Sequence, residues 1–254
     1  TEVAAAASNR GIALFALTDH DTCAGSASCV VPNACNVRAV EISCSDADGH
    51  TVHVLAFDTG GAWDVLETQL GVVREHRKNR LRMMGAKLLQ RGIKLDMEPL
   101  LAQADRRAVG RPDLANAMVA AGVVSSAKEA FSRHLFDRGP IDVPHKGLSV
   151  TEAVAVGRSA GAKLSLAHPH LYGARTAKLI AAHKRDGLEG LEAFYGRYDA
   201  AERKHWIEIA DGNGMVCTGG SDSHGEPEIS RGVEMPDDRA HALAAWLGVA
   251  LPTL

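Results

Sequence analysis

Short apolar runs alternate with helical segments along most of the 254-residue chain. Ile12–Leu17, Thr51–Phe57, Ala162–Ala167 and Leu188–Tyr195 are largely apolar, as expected for strands that are buried in a sheet. Helical segments separate the later strands, and Ser149 is the predicted N-cap of one of these helices. This alternation predicts an α/β fold with a largely parallel sheet or a barrel.

One long stretch interrupts the alternation. From about residue 64 to residue 140 the chain shows helical periodicity and no strand signal, beginning with Asp64 as the predicted cap of a helix that extends to Gly92. The charged residues of this helix, which include Arg77 and Arg80, are expected to form its solvated face. We therefore predict that residues 64–140 are an all-helical insertion.

Composition excludes several classes of function. The net charge of −3 gives no electrostatic basis for a stable nucleic-acid complex, and aromatic residues at 4% argue against a base-stacking platform. There is no apolar run of the length that spans a bilayer and no secretory pattern, so we expect a cytoplasmic protein without a membrane partner. The five cysteines include no CxxC pair, and we expect reduced thiols rather than a thiolate metal site or a redox switch.

Potential metal ligands cluster where the predicted strands end. Because the carboxyl ends of parallel strands meet at one face of a sheet or barrel, these side chains are expected to lie together. They are His20, Glu41, His168, Asp222 and His224, at or just beyond strand ends, and His53, inside a strand. Histidines in predicted helices do not share this placement and are expected to be structural; they include His76, His134, His183, His205 and His241.

Imidazole and carboxylate groups without a thiolate favour Mn, Fe or Zn in a hydrolytic site. Two such ions about 3.5–4 Å apart generate a hydroxide nucleophile and hold both oxygens of a phosphoester displacement. A carboxylate such as Glu41 can bridge two ions, because each of its oxygens offers lone pairs.

Seven motifs resemble the PHP (polymerase and histidinol phosphatase) family of metal-dependent phosphoesterases. They occur in the order and spacing of that family over nearly the whole chain. They are ALTDHDTCAG at 16–25, VEIS at 40–43, HTVHVLAF at 50–57, GRPDLA at 110–115, LAHPH at 166–170, GLEGLEAFY at 187–195 and GGSDSHG at 219–225. The helical block resembles the insertion of the branch that includes 3′,5′-nucleoside bisphosphate phosphatases and a related 5′–3′ exoribonuclease.

The resemblance implies a distorted (β/α)7 barrel made of residues 1–63 and 141–254, with the helical insertion at 64–140. It implies two or three divalent ions, most simply Mn with Fe or Zn as alternatives, bound by His20, Glu41, His53, His168, Asp222 and His224. Glu41 and His20 are the expected catalytic residues, and a metal-bound hydroxide is the expected nucleophile. Arg111 and His145 are expected to bind substrate, with Lys146, His50 and His170 as weaker candidates. Glu192 and Tyr195 are expected to be packing residues of their strand.

The chain departs from the family pattern at its beginning. The family opens with a strand that carries a His-x-His pair and an Asp, and no such strand precedes Thr1, so we expect that the start is missing. Two readings of function follow. The first is hydrolysis of a small phosphorylated nucleotide or a short oligonucleotide, including short RNA. The second is a degenerate, non-catalytic barrel that binds a nucleotide or a protein. An amidohydrolase is disfavoured, because its own opening motif is equally absent while the PHP motifs are present.

Overall fold

The computed structural model describes residues 2–104, 107–136, 138–144, 147–224 and 232–252. They form two compact units, one made of the chain up to Thr68 together with the chain from Leu148 onward, and the other of Gln69–Gly147. The helices are α1 (Glu2–Asn9), α2 (Ala24–Ser28), α3 (Trp63–Gln90), α4 (Glu98–Gln103), α5 (Arg111–Ala120), α6 (Ala127–Ala130), α7 (Val150–Ser159), α8 (Arg175–His183), α9 (Ala200–Gly212) and α10 (Asp237–Leu247). The strands are β1 (Leu14–Phe15), β2 (Cys35–Asn36), β3 (Ala39–Ser45), β4 (Thr51–Phe57), β5 (Leu148–Ser149), β6 (Lys163–Leu166), β7 (Leu188–Tyr195) and β8 (Val216–Gly220).

The first unit is built on a six-stranded sheet in the order β5-β3-β4-β6-β7-β8, beside a two-stranded parallel sheet of β1 and β2. The expectation of a largely parallel sheet is wrong for one strand, because β4 is antiparallel to both β3 and β6. The physical reason lies in the four-residue turn Asp46–Gly49, in which Gly49 N–H donates to Asp46 O at 3.0 Å. So short a connection joins β3 and β4 as a hairpin, and a hairpin can only be antiparallel.

The hairpin explains how His53, near the start of β4, joins residues that follow other strands. In the antiparallel register, His53 pairs with Ser43 near the end of β3. The beginning of β4 therefore lies at the same end of the paired strands as the carboxyl end of β3. The reversed strand direction brings a mid-strand residue into the cluster of strand ends.

The sheet is mixed, and among the described residues it does not close on itself. Its order runs from β5 at one edge to β8 at the other. Beneath it, Leu243 and Leu247 of α10 pack with Ala39, Leu55 and Phe57 in a buried apolar cluster. The first unit is thus an α/β layer structure with a mixed sheet.

The predicted N-cap of α7 is confirmed. Ser149 Oγ accepts the N–H of Glu152, and the Glu152 carboxylate accepts the N–H of Ser149 at 2.7 Å, which together form a capping box. Asp199 and Glu202 form the same arrangement at the start of α9. Each pair satisfies backbone donors that the first turn of a helix otherwise leaves without an intrahelical partner.

The second unit is helical around an apolar core of its own. Leu81, Met84 and Leu88 of α3 pack with Leu114 and Met118 of α5. None of the helices in the described part of the chain combines the length and the apolar character needed to cross a bilayer.

The opposite face of α3 is less solvated than the sequence indicated. The side chain of Arg80 is only 16% exposed, and its guanidinium group donates to Val143 O at 2.6 Å and to Asp142 Oδ1 at 3.3 Å. The expectation of a fully solvated charged face is therefore wrong at this position. The loop segment that contains Asp142 and Val143 contacts this guanidinium group, which helical periodicity alone does not reveal.

Candidate metal centre

The turn that carries His20 is fastened to β3 by backbone hydrogen bonds. His20 forms an isolated parallel bridge with Glu41, where Asp21 N–H donates to Glu41 O at 2.9 Å and Glu41 N–H donates to Asp19 O at 3.2 Å. The buried Asp21 carboxylate accepts the N–H of Ser43 at 2.8 Å. These contacts set the position of the His20 imidazole relative to the Glu41 side chain.

Glu41 is the centre of the cluster, with a side chain that is almost fully buried. Its Oε1 lies 2.8 Å from His53 Nδ1 and 3.1 Å from His168 Nε2. Its Oε2 lies 3.7 Å from His20 Nδ1. The two carboxylate oxygens therefore face different histidines, as a carboxylate that bridges two cations would require.

His168 follows β6 in a tight turn and closes the group around Glu41. Its Nε2 lies 2.9 Å from His53 Nδ1. Its backbone, with φ 27° and ψ 61°, is in the left-handed region, which residues other than glycine and asparagine rarely adopt. A residue held in such a conformation next to a polar cluster marks a position where the surrounding contacts fix the backbone.

Asp222 and His224 follow β8 and extend the group on the side of His20. The His224 and His20 ring centroids are 5.8 Å apart, and His224 Nδ1 lies 3.7 Å from Asp222 Oδ1. The Tyr195 hydroxyl donates to Asp222 Oδ2 at 2.9 Å. All six predicted ligands thus lie in one connected group of side chains at one end of the strands.

Burial and charge act against each other in this group. Burial alone would raise the pKa of Glu41, but hydrogen bonds with His168 and His53 and the charge of His20 lower it well below its usual range. Burial alone would lower the pKa of His168, but its hydrogen bond to Glu41 and the charge of that carboxylate raise it. The buried carboxylate is therefore ionised and requires positive charge around it.

The donor atoms fit a divalent cation. Ligand atoms of His20, Glu41 and His53 lie within 4.8 Å of one another. Glu41 Oε1, His53 Nδ1 and His168 Nε2 are separated by 2.8, 2.9 and 3.1 Å, so these three atoms are close enough together to face one ion. The donors are nitrogen and oxygen without a thiolate, which suits Mn, Fe or Zn.

Arg111, a predicted substrate-binding residue, belongs to the second unit. Arg111 begins α5, and its guanidinium group donates to Leu135 O at 3.3 Å. Burial and the nearby charges of Arg111 and Arg77 lower the pKa of Arg80, so these three guanidinium groups are close enough to interact within their unit. His145 and Lys146 lie outside the described residues.

Two weaker candidates, His50 and His170, contact neighbouring side chains, and their role in substrate binding stays a prediction. His50 Nδ1 lies 3.3 Å from Asp46 Oδ1, and Asp46 Oδ1 also accepts the backbone N–H groups of Asp48 and His50. Although Asp46, Asp48 and His50 could together face a cation, these contacts make them the turn of the β3–β4 hairpin. His170 Nδ1 lies 2.9 Å from the Tyr198 hydroxyl.

Sequence reasoning missed three residues that touch the predicted ligands. Tyr195 contacts Asp222, Tyr172 contacts both His53 and His168, and Glu192 accepts the His168 N–H at 2.6 Å. Both residues are buried in β7, as expected, and these hydrogen bonds add a contact with a predicted ligand. A glutamate inside a nearly all-apolar strand was the available signal, because a buried carboxylate requires a specific partner.

Several known proteins are similar to this chain, although no protein-family model matches it. The 3′,5′-nucleoside bisphosphate phosphatase of Chromobacterium violaceum is 31% identical over 246 residues, which cover 94% of this chain and 86% of that protein. The 5′–3′ exoribonuclease Rnm of Salmonella typhimurium is 26% identical over 84% of this chain and 75% of its own length.

Two solved structures share the fold. One is a Bifidobacterium adolescentis protein assigned as a metal-dependent phosphoesterase, with a TM-score of 0.79 and 26% identity over 96% of this chain and 90% of that one. The other is described as an amidohydrolase from Chromobacterium violaceum with bound sulfate and no metal; its TM-score is 0.80, with 28% identity over 99% of this chain and 92% of that one.

Proposed function

Because this chain belongs to the family of metal-dependent phosphoesterases that includes the 3′,5′-nucleoside bisphosphate phosphatase of Chromobacterium violaceum, the PHP family, we propose that it removes phosphate from a small nucleotide. A 3′,5′-nucleoside bisphosphate is the proposed substrate. The observation that carries this proposal is the Glu41 carboxylate, buried at 6% exposure and surrounded by three histidines from three separate segments of the chain.

The proposed ligands fall into two groups around Glu41. His53 and His168, which face Oε1, and His20, which faces Oε2, would hold divalent ions together with the Glu41 carboxylate, and Asp222 and His224 would add ligands on the side of His20. The nitrogen and oxygen donors, without a thiolate, suit Mn, which we propose, with Fe or Zn as alternatives. When bound, such ions polarise a phosphoryl oxygen and lower the pKa of a water molecule.

The residues of this chain contribute position and charge. Glu41 supplies a negative charge that holds cations in a buried place, and His20 orients toward the same carboxylate from the opposite side. We assign these two residues to the reacting centre. Arg111 is proposed to bind an anionic group of the substrate, since a planar guanidinium group can hold two phosphate oxygens at once.

Membership of this family also supports proposals about the domain organisation and the location of the protein. We propose that the mixed sheet is part of a distorted (β/α)7 barrel formed by residues 1–63 and 141–254, that residues 64–140 are an insertion, and that His145 contributes to substrate binding. A cytoplasmic location is proposed, because free nucleotides and reduced thiols are found there.

The test measures phosphate release by the full-length protein supplied with Mn²⁺. We expect release from 3′-phosphoadenosine 5′-phosphate, and a loss of at least about 100-fold in kcat/KM for Glu41→Gln and His53→Ala. The matched control is His241→Ala, which removes an exposed helical histidine whose Nδ1 lies 2.6 Å from Asp237 O; its activity should be unchanged.

A short 5′-phosphorylated oligoribonucleotide, tested in parallel, decides between the monoester reading and the exoribonuclease reading that the Salmonella relative supports. Stepwise nucleotide release from this oligonucleotide, with no action on the bisphosphate, would replace the proposed substrate. No action on either compound, or on simple phosphate esters, would overturn the proposed function.

A further inference from the structure

The backbone of His168 is held by a buried carboxylate. Glu192 Oε2 accepts the His168 N–H at 2.6 Å, and both residues are 4% exposed. His168 has a left-handed backbone conformation and precedes Pro169, a position at which steric contact with the proline ring narrows the allowed conformations. Such a conformation is unfavourable and persists only where other contacts hold it.

The neighbouring strand leaves space for that carboxylate. A Cβ atom at Gly220 of β8 would lie 2.9 Å from Glu192 Oε1. A larger residue at this position would displace the Glu192 side chain. Because Gly220 has no side chain, Glu192 has room to reach the His168 N–H.

The imidazole ring of His168 is held by a buried phenol. The Tyr172 hydroxyl oxygen lies 3.2 Å from His168 Nδ1 and accepts the backbone N–H of His53 at 2.9 Å. The opposite ring nitrogen, Nε2, faces Glu41 and His53. One phenolic oxygen thus contacts two predicted ligands that come from different strands.

The ring contact has a consequence for the ligand atom. If Nε2 is to offer its lone pair to a cation, the ring proton must be on Nδ1, where it needs an acceptor. The Tyr172 oxygen is at hydrogen-bond distance from that nitrogen. Metal-binding histidines commonly donate their second N–H in this way, and loss of the partner typically lowers metal affinity 10–100-fold.

We propose that Tyr172 and Glu192 are positioning residues that together present the Nε2 lone pair of His168 to a divalent cation. This inference rests on the proposed metal centre, and it concerns cation binding rather than the reaction. Neither residue touches the reacting atoms; Tyr172 orients the ring and Glu192 fixes the backbone.

The variants separate hydrogen bonding from packing. Tyr172→Phe removes only the hydroxyl group. Glu192→Gln keeps an acceptor for the His168 N–H, whereas Glu192→Leu keeps similar volume without one. The control is Tyr198→Phe, which also removes a hydroxyl group that contacts a histidine, in this case His170. The two tyrosines are similarly buried, since Tyr198 is 7% exposed and Tyr172 is 5% exposed.

The first measurement is the affinity for Zn²⁺ and Mn²⁺ alone, in competition with a chelator. We expect affinity to fall about 10–100-fold in Tyr172→Phe and in Glu192→Leu. Glu192→Gln should bind within a few-fold of the unaltered protein, and Tyr198→Phe should be unchanged. The second measurement is NMR of the Zn²⁺-loaded protein, in which the His168 Nδ1 proton should be protected from solvent exchange and should lose that protection in Tyr172→Phe.

Unchanged affinity and unchanged Nδ1 protection in Tyr172→Phe would overturn the inference, and so would equal affinities of Glu192→Gln and Glu192→Leu. If Glu192→Leu does not fold, Tyr172→Phe still decides. Failure of the proposed function is distinguishable, because it would appear as metal binding by the unaltered protein without phosphate release. Absence of metal binding by the unaltered protein would overturn both.

Discussion

Replacing Gly190 of β7 by alanine tests the strand spacing on which the candidate site depends. An alanine Cβ would lie 2.7 Å from Ser165 Cβ and 2.9 Å from Ser165 Oγ in β6, whereas unstrained carbon atoms approach to about 3.5–4.0 Å. Ser165 is fully buried, and its hydroxyl group lies 2.7 Å from Thr218 Oγ1. Rotation of the serine about χ1 would break this buried hydrogen bond and would still leave the contact with Cβ.

The magnitude follows from these contacts. Overpacking of this kind costs about 1–3 kcal/mol, and loss of the Ser165–Thr218 hydrogen bond adds about 1 kcal/mol. The lower backbone entropy of alanine in the unfolded chain offsets up to about 1 kcal/mol. We therefore expect Gly190→Ala to lower the free energy of unfolding by about 2 kcal/mol.

Urea unfolding followed by circular dichroism measures this change. Gly212→Ala is the matched control, because a Cβ at this position of α9 meets no atom within 4 Å. It should be neutral or slightly stabilising. In a double-mutant cycle, Ser165→Gly should recover part of the Gly190→Ala cost, because it removes the atoms that clash. A Gly190→Ala cost below about 0.5 kcal/mol, or no coupling with position 165, would refute the reasoning.

Three further predictions concern the site. Burial and the nearby charges of Glu41 and Asp222 raise the pKa of Glu192 to about 8, although the hydrogen bond from His168 opposes this increase. The native carboxyl group therefore keeps its proton at pH values between about 4.5 and 8, where the unfolded chain has released it. The free energy of unfolding of metal-free protein should then fall by up to about 1.4 kcal/mol per pH unit between these values, and urea titrations should find this slope absent in Glu192→Gln. Tyr195→Phe should weaken Mn²⁺ binding about 5–10-fold in a chelator competition, because Asp222 loses a hydrogen bond worth about 1 kcal/mol. Arg111→Lys should raise KM for 3′-phosphoadenosine 5′-phosphate about 10-fold with a smaller change in kcat, as steady-state kinetics would measure.

The positions of the predicted ligands could be inferred from the sequence because strand direction fixes where strand ends lie. His20 and His168 each follow an apolar run, and in the structure both lie within 4 Å of the Glu41 carboxylate. The expectation that Glu41 ends its strand is wrong, because β3 continues beyond it to Ser45. Their role as metal ligands stays a prediction. The direction of β4 could also have been inferred, because the Asp46–Gly49 turn is too short for any connection other than a hairpin.

Other features depend on contacts between residues that are distant in sequence. Tyr172 lies 119 residues from His53, and only the folded sheet shows that its hydroxyl group reaches the His53 backbone. The burial of Arg80 likewise depends on Asp142 and Val143, which follow it by more than 60 residues. Local periodicity describes one element at a time, so it identifies neither the partner of a polar group nor the segment that covers a charged face.

We propose that Glu41 joins two cation sites. Anomalous diffraction from crystals of the Mn²⁺-loaded full-length protein would locate the bound ions. We expect at least two anomalous peaks beside the Glu41 carboxylate, one at Oε1 with His53 and His168 and the other at Oε2 with His20. A protein saturated with Mn²⁺ that shows no peak within ligating distance of Glu41 would contradict it.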